Sequence, residues 1–200
     1  ISVRIPRLFT DQPLTPGDQV VLKGNVAQHL ARALRARSGD HIALFNGDGQ
    51  EFAAQVLTVS KGEVSVEVGA AATPQTESPV YTTLGLCLSK GDRFDWAIQK
   101  ATELGVGAIA PLQSERVDFS IPPDRMKKRI AHWQQIAISA CEQCGRVKVP
   151  SITPPQALAF WVESVLAEQK WVLHCTEETG FSASAVTQGA PRDAALLIGP

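Results

Sequence analysis

A change of rhythm about a third of the way along the chain constrains its fold more than any other feature. Up to Val68 the apolar residues come in short runs separated by turn residues: Gln19–Lys23, His41–Phe45, Glu51–Ser60 and Glu63–Val68. From Val80 onward, strand-like runs alternate with stretches of helical periodicity. The first pattern suits a small antiparallel β-structure, the second a mainly parallel α/β sheet. Between them Gly69–Pro79 lacks periodicity and carries Pro74 and Pro79, so it reads as an inter-domain linker. The expected organisation is a β-barrel over residues 1–70, a linker over 71–79 and an α/β domain over 80–200.

Local signals fill in the elements. Asn46-Gly47-Asp48-Gly49 has the residues that a hairpin with positive φ requires, and Lys61-Gly62 separates the last two runs of the barrel. One helix is predicted over Val26–Arg37, with Asn25 as its cap, Val26, Leu30 and Leu34 on one face, and Gly39 past its end. In the second domain Val80–Leu88 is a strand. Asp92 caps a helix with the stripe Phe94, Ala97, Ile98, Ala101 and Leu104, which Gly105 stops. Ala108–Leu112 is the next strand, and a helix runs from Pro123 to Cys144 with Gly145 after it. Gln156–Gln169 is a further helix, and Trp171–Cys175 and Ala195–Ile198 are strands.

Composition narrows the class. Apolar residues make up 44% and charged residues 20% of the chain, as in a soluble globular protein. No run approaches the roughly 18 apolar residues of a membrane span, and no basic-then-apolar leader opens the sequence. Four cysteines make neither a dense disulfide framework nor a zinc quartet, which points to a reducing cytoplasm and to no metal. Charge is uneven: Lys90–Lys148 holds ten basic against seven acidic residues, and Val149–Pro200 two against five. Local basic clusters of this kind permit contact with a phosphate backbone.

Several segments have the chemistry for a site. Ser89-Lys90-Gly91-Asp92-Arg93 sits where a strand hands over to a helix, and is either a capped turn or an anion-binding start. Glu103, placed against the helix dipole, is either solvated or paired with an arginine such as Arg116. Arg125, Lys127, Lys128 and Arg129 open a helix, where an RNA phosphate would relieve unfavourable charge; a solvated face is the plainer reading. In Cys141-Glu142-Gln143-Cys144-Gly145-Arg146 the thiols read as buried apolar groups. Glu142, Gln143 and Arg146 gather complementary hydrogen-bonding groups that could hold a base or a phosphate. His29, Arg32, Arg35 and Arg37 give the first helix a basic side, with Arg4 and Arg7 nearby in sequence only.

Taken together and in order, Arg4–Phe9, His29–Arg35, Lys90–Trp96, Gln99–Gly105, Ser114-Glu115-Arg116, Glu142–Arg146 and Leu197-Ile198-Gly199-Pro200 resemble the RsmE family of 16S ribosomal RNA uracil-N3 methyltransferases. The resemblance spans nearly the whole chain. It implies an α/β protein with an N-terminal PUA-like RNA-binding barrel and a C-terminal SPOUT domain with a trefoil knot. It also implies S-adenosylmethionine as methyl donor, a cytoplasmic homodimer, and 16S ribosomal RNA, within the small ribosomal subunit, as partner.

On this resemblance Arg146 and Glu142 are the candidate catalytic pair. Arg4, Arg7, Arg32, Arg35, Lys90, Arg93, Arg116, Arg129 and Gln143 are the candidate RNA contacts, and Leu173, His174, Gly199 and Pro200 border the donor. The family's last motif continues as Gly-Pro-Glu-Gly-Gly, and a later arginine-containing segment completes knot and pocket. This sequence ends at Gly199-Pro200, so the alternative expectation is an RNA-binding fragment that does not methylate.

Overall fold

The computed structural model describes residues 5–115, 121–173 and 192–199. The chain divides into two compact units, Ile1–Glu77 with Cys141–Lys148, and Ser78–Ala140 with Val149–Pro200.

The first unit is built on β1 (Arg7–Phe9), β2 (Gln19–Lys23), β3 (His41–Phe45), β4 (Glu51–Ser60) and β5 (Glu63–Ala72). They form one sheet in the order β1-β3-β4-β5-β2, with β1 parallel to β3 and the other pairs antiparallel. Both predicted turns occur. Gly47, Gly49 and Gly62 all have positive φ, and Asn46 and Asp48 each accept a backbone N–H two residues on. Register shifts between Phe52 and Ala54 and between Val56 and Thr58 bend the long β4–β5 pair. All five strands send side chains into one core, which includes Leu8, Leu22, Leu44, Phe52 and Val66. Each such side chain contributes about 1.5–3 kcal/mol by leaving water.

Three sequence expectations need correction in this unit. Strand β1 was not anticipated, because three residues give no period to read. Strand β5 runs on to Ala72, past Gly69 where the linker was expected to begin; Glu51↔Ala72 and Phe52↔Ala71 pairings hold the extra residues. The predicted helix Val26–Arg37 is instead a short α1 (Gly24–Gln28) followed by a wider π-type turn over His29–Ala33. Lys23, not Asn25, occupies the cap position, and it makes no side-chain cap bond. The helical rise fails because the Leu34 N–H donates five residues back, to the His29 carbonyl.

The second unit carries β6 (Tyr81–Cys87), α2 (Arg93–Glu103), β7 (Ala108–Gln113), α3 (Pro123–Cys144, whose last turn belongs to the first unit), β8 (Ser151–Ile152), β9 (Gln156–Ala157), α4 (Leu158–Ser164), β10 (Gln169–Leu173) and β11 (Asp193–Ile198). The sheet runs β10-β11-β6-β7-β8, with β9 also on β7, and every pairing is parallel. Strand alternation divides the apolar residues between two faces. Leu84, Leu86 and Ile109 pack with Phe94, Ile98 and Trp133 of α2 and α3. Cys87, Ala110, Leu112, Ala195 and Leu197 pack with Trp161 of α4. Helices on both faces are what near-continuous apolar strands demand.

The helices also bring corrections. Asp92 sits at the N-cap of α2 but makes no side-chain cap bond. Leu104 is 86% exposed and off the stripe; buried Thr102 takes the inner face, its hydroxyl donating to the Ile98 carbonyl at 2.8 Å. The predicted helix Gln156–Gln169 is cut at both ends. Gln156 and Ala157 pair with Leu112 and Gln113 on β7, and Val165 turns extended. The strand expected at Trp171–Cys175 begins earlier, at Gln169, and beyond Leu173 it lies outside the described residues.

Gly85 on β6 shows how tightly α4 is seated. A Cβ there would lie 2.6 Å from the Trp161 ring and 2.9 Å from Leu112. Gly85→Ala should therefore cost about 1–3 kcal/mol in urea unfolding, and a smaller residue at Trp161 should soften the effect. An unchanged midpoint would show that the ring yields freely.

Candidate functional site

Helix α3 ends with backbone carbonyls that have no partner within the helix. Arg7, delivered by β1 with its side chain 17% exposed, supplies the missing donors. Its Nε–H donates to Glu51 Oε2 at 2.6 Å. Nη1 donates to the carbonyls of Cys141 (2.7 Å) and Glu142 (3.2 Å), and Nη2 to those of Gly145 (3.1 Å) and Arg146 (3.2 Å). A guanidinium has five N–H donors, and all five are used. The cation also lies at the negative end of the helix dipole and over the Phe45 ring, 5.0 Å from its centroid. Arg7, expected to contact RNA, thus has no donor left for a phosphate.

Glu142 and Arg146, expected to be catalytic, are likewise committed within the first unit. Glu142 Oε1 accepts the Phe9 N–H at 3.0 Å. Burial pushes its carboxyl up, against the Phe9 hydrogen bond and the positive charges of His29 and Arg7. Arg146 is 5% exposed and grips Glu77 Oε2 through Nε (3.0 Å) and Nη2 (2.7 Å). Glu77 Oε1 accepts the N–H groups of Val147 and Lys148, each at 3.1 Å. Burial alone would raise the Glu77 carboxyl, but the Arg146 hydrogen bond and charge and the two backbone N–H groups outweigh it and hold it below its ordinary value. Both side chains are thus held by partners within the first unit. Cys141 is buried, with its thiol pushed up to about 12 by desolvation, while Cys144 is exposed, contrary to the expectation that both are buried. Gln143 is exposed and has a partner of its own. Sequence reasoning missed Glu77, which pairs across 69 positions and had been read as linker.

In the second unit the chain builds β6 first, adds β7 on one side and β11 on the other. The sheet's order of assembly therefore reverses between β6 and β11, the place where open α/β sheets bind ligands beyond the strands' carboxyl ends. A cleft of about 550 Å³ lies there, lined by Leu86, Cys87, Ser89, Arg93, Trp96 and Gly199 among others. Gly199 follows β11, and Leu173, the last residue of β10, pairs with Ile198 next to it. The structure thus brings Arg93 and Gly199 to one cleft, with Leu173 on the neighbouring strand but not in its lining. Lys90 is exposed on the turn before α2 but does not line the cleft. Trp96, 63% exposed on the cleft wall, closes the Lys90–Trp96 motif but is not among the site residues the sequence singles out.

The remaining candidates lie elsewhere. Arg32 and Arg35 are exposed on the helical segment of the first unit. Arg129 packs over Trp133, 5.9 Å from the ring centroid. Glu103 accepts hydrogen bonds from Lys100 and Gln99 of its own helix. Arg4, Arg116, His174 and Pro200 lie outside the described residues. Among the described residues no cluster of three or more His, Cys, Asp or Glu could hold a metal, and no helix is long and apolar enough to cross a membrane.

Comparison with known proteins agrees with both units. Residues 76–200 match the RNA methyltransferase domain family, and residues 22–69 match the RNA methyltransferase PUA domain family. A ribosomal RNA small subunit methyltransferase E of Buchnera aphidicola is 30% identical over 158 residues, 79% of this chain and 64% of that protein. A solved ribosomal RNA small subunit methyltransferase E of Neisseria gonorrhoeae, bound to S-adenosylmethionine, is 32% identical; the match covers 98% of this chain and 80% of that one, with a TM-score of 0.88. A Legionella pneumophila structure described as a methyltransferase with bound S-adenosylmethionine is 35% identical, covers 99% and 81%, and has a TM-score of 0.92. The chain spans just under two thirds of the Buchnera relative and about four fifths of the two solved chains.

The Glu77 carboxylate gives this unit a pH signature. A carboxyl held low in the folded state adds stability that is present above its unfolded value, 4.5, and is lost as pH falls through the folded value. Stability should decline on acidification below that point. Glu77→Gln should be less stable at neutral pH and show a flatter acid limb in urea unfolding. Parallel acid limbs in the two proteins would contradict the pairing.

Proposed function

The chain belongs to the ribosomal RNA small subunit methyltransferase E family, and from that premise we propose that it methylates N3 of a uridine in 16S ribosomal RNA, using S-adenosylmethionine. The observation that carries this reading is the cleft where β6 and β11 part. Its volume is in the range of small-molecule sites. Its wall combines apolar Leu86, Phe94 and Ala97 with the hydroxyl of Ser89 and the opposite charges of Asp92 and Arg93, a set that fits a ligand part apolar, part polar and carrying charge. Leu173 and Gly199 border the donor side. A Cβ added at Gly199 would meet nothing within 4 Å, so the backbone there is open to a ligand. When bound, the donor supplies an electrophilic methyl group.

The chain's own task is to hold and activate the base. N3 of uracil is a poor nucleophile until its proton leaves, so the residues around it must favour the developing anion. Arg93 on the cleft wall is the cation best placed for that, and Lys90 on the preceding turn offers a phosphate contact that positions without reading sequence. Arg7, Glu142 and Arg146 act as positioning residues, since their polar groups serve the first unit's own structure. Removing Arg146 would leave the half-buried Glu77 without the cation it pairs with, so Arg146→Ala should lower stability as well as turnover. We place the enzyme in the cytoplasm as a homodimer acting on the small ribosomal subunit or its RNA.

Methyl transfer from labelled S-adenosylmethionine to 16S ribosomal RNA, with nucleoside analysis of the product, tests the proposal. Label in N3-methyluridine is the expected result. Arg93→Ala should lower the rate roughly 10- to 100-fold with little change in melting temperature. Label on another nucleoside, or none, would contradict the proposal.

A further inference from the structure

Much of the cleft wall in the second unit is a single turn of helix. Asp92, Arg93, Phe94, Trp96 and Ala97 all line it, so the seat of the first turn of α2 decides where those groups stand. That turn has little support from its own chain. Asp92 occupies the N-cap position without a side-chain cap bond, and the turn is closed by the Trp96 N–H, which donates to the Asp92 carbonyl at 2.9 Å. A helix start without a side-chain cap leaves its first donors unsatisfied and frays more readily.

Two contacts with α3 supply the support instead. Phe94 packs on Trp133, with ring centroids 4.7 Å apart. Trp133 is itself 2% exposed, so this ring pair sets how deep the helix lies. Beside it, His132 Nε2 donates to Asp95 Oδ2 at 2.7 Å. Among the described residues this is the one polar side-chain link from positions 92–97 to another element. Successive helical residues are turned by about 100°, which puts Asp95 on the flank away from Arg93, Trp96 and Ala97. A bond on that flank sets how far α2 is rolled about its own axis, and the roll carries the cleft residues with it.

The side chains of His132 and Asp95 are 50% and 24% exposed. A polar pair this open contributes little to global stability, so its consequence is geometric. Groups that act on a reacting atom must be held within about 0.5 Å of their productive positions by their supports. We infer that His132 is a positioning residue for methyl transfer: through Asp95 it fixes the roll of α2 and so the placement of Arg93 and Trp96 on the cleft wall. The inference rests on the reading of that cleft as the methyl-transfer site, and extends the site to a side chain of α3 that does not line it.

The full chain is tested by two readouts, methyl transfer from labelled S-adenosylmethionine to 16S ribosomal RNA and amide hydrogen exchange. His132→Ala should lower kcat roughly tenfold and change the KM for S-adenosylmethionine by less than about twofold. Its melting temperature should stay within about 2 °C of the wild type. The Trp96 amide should exchange roughly tenfold faster. The Leu104 amide at the far end of α2, bonded to the Lys100 carbonyl, should keep its rate. His132→Gln retains an N–H donor and should recover most of the lost turnover. Asp95→Ala combined with His132→Ala should lose no more than either change alone. Losses that multiply in the double variant would show two residues acting separately, and overturn the inference. An unchanged Trp96 exchange rate in His132→Ala would overturn it whether or not the wild type transfers methyl. Full turnover of His132→Ala beside an active wild type would sink this inference alone, whereas a wild type that transfers no methyl would sink it together with the methyltransferase reading.

Discussion

One guanidinium organises the first unit. Arg7 reaches from a three-residue strand to four backbone carbonyls around the end of α3 and to the Glu51 carboxylate. Each is a charge-assisted bond to a part-buried acceptor, individually worth about 1.5–3 kcal/mol and not additive as a set. Without Arg7 the Cys141 carbonyl would keep only the Gly145 N–H, at 3.1 Å, and the part-buried carbonyls of Glu142, Gly145 and Arg146 would lose this donor. The same segment is then held a second time, by Glu77 on Arg146 and on the N–H groups of Val147 and Lys148. Glu142–Arg146, the richest polar stretch in the sequence, is in effect a helix terminus satisfied by side chains distant in sequence.

That arrangement explains which parts of the molecule the sequence discloses. The parallel sheet was legible because its strands are apolar on both faces and its turns carry Gly91, Gly105 and Gly145 at positive φ. Helix α3 was legible at both ends, from Pro123 to the glycine after Cys144. The partners of Arg7, Glu142 and Arg146 were not, because an isolated arginine does not reveal where its donors go, and these lie 44 to 139 positions away. Reading Arg7 as an RNA contact follows from its charge, while the structure directs its donors to Glu51 and to four backbone carbonyls. The π-type turn was hidden for another reason. Apolar spacing at Val26, Leu30 and Leu34 suits an α-helix equally well, and only the hydrogen bonds distinguish the two.

The site was legible by family resemblance more than by residue chemistry. The motif Lys90–Trp96 spans a strand-to-helix turn, and three-dimensional structure adds what spacing could not. Arg93 and Trp96, on one turn of α2, and Gly199, 106 and 103 positions further on, line one cleft where the sheet reverses its order of assembly. The division of labour that results is physical. Arginines with buried acceptors build the scaffold, and arginines with exposed donors face whatever the scaffold serves.

Native-state hydrogen exchange at the Val147 and Lys148 amides measures that division most directly. If the Arg7 and Glu77 bonds anchor this segment, both amides should exchange about as slowly as the β4–β5 core, and Arg7→Ala should release them while the strands stay protected. Rapid exchange of these amides in the wild-type protein, or protection that Arg7→Ala leaves intact, would contradict the account.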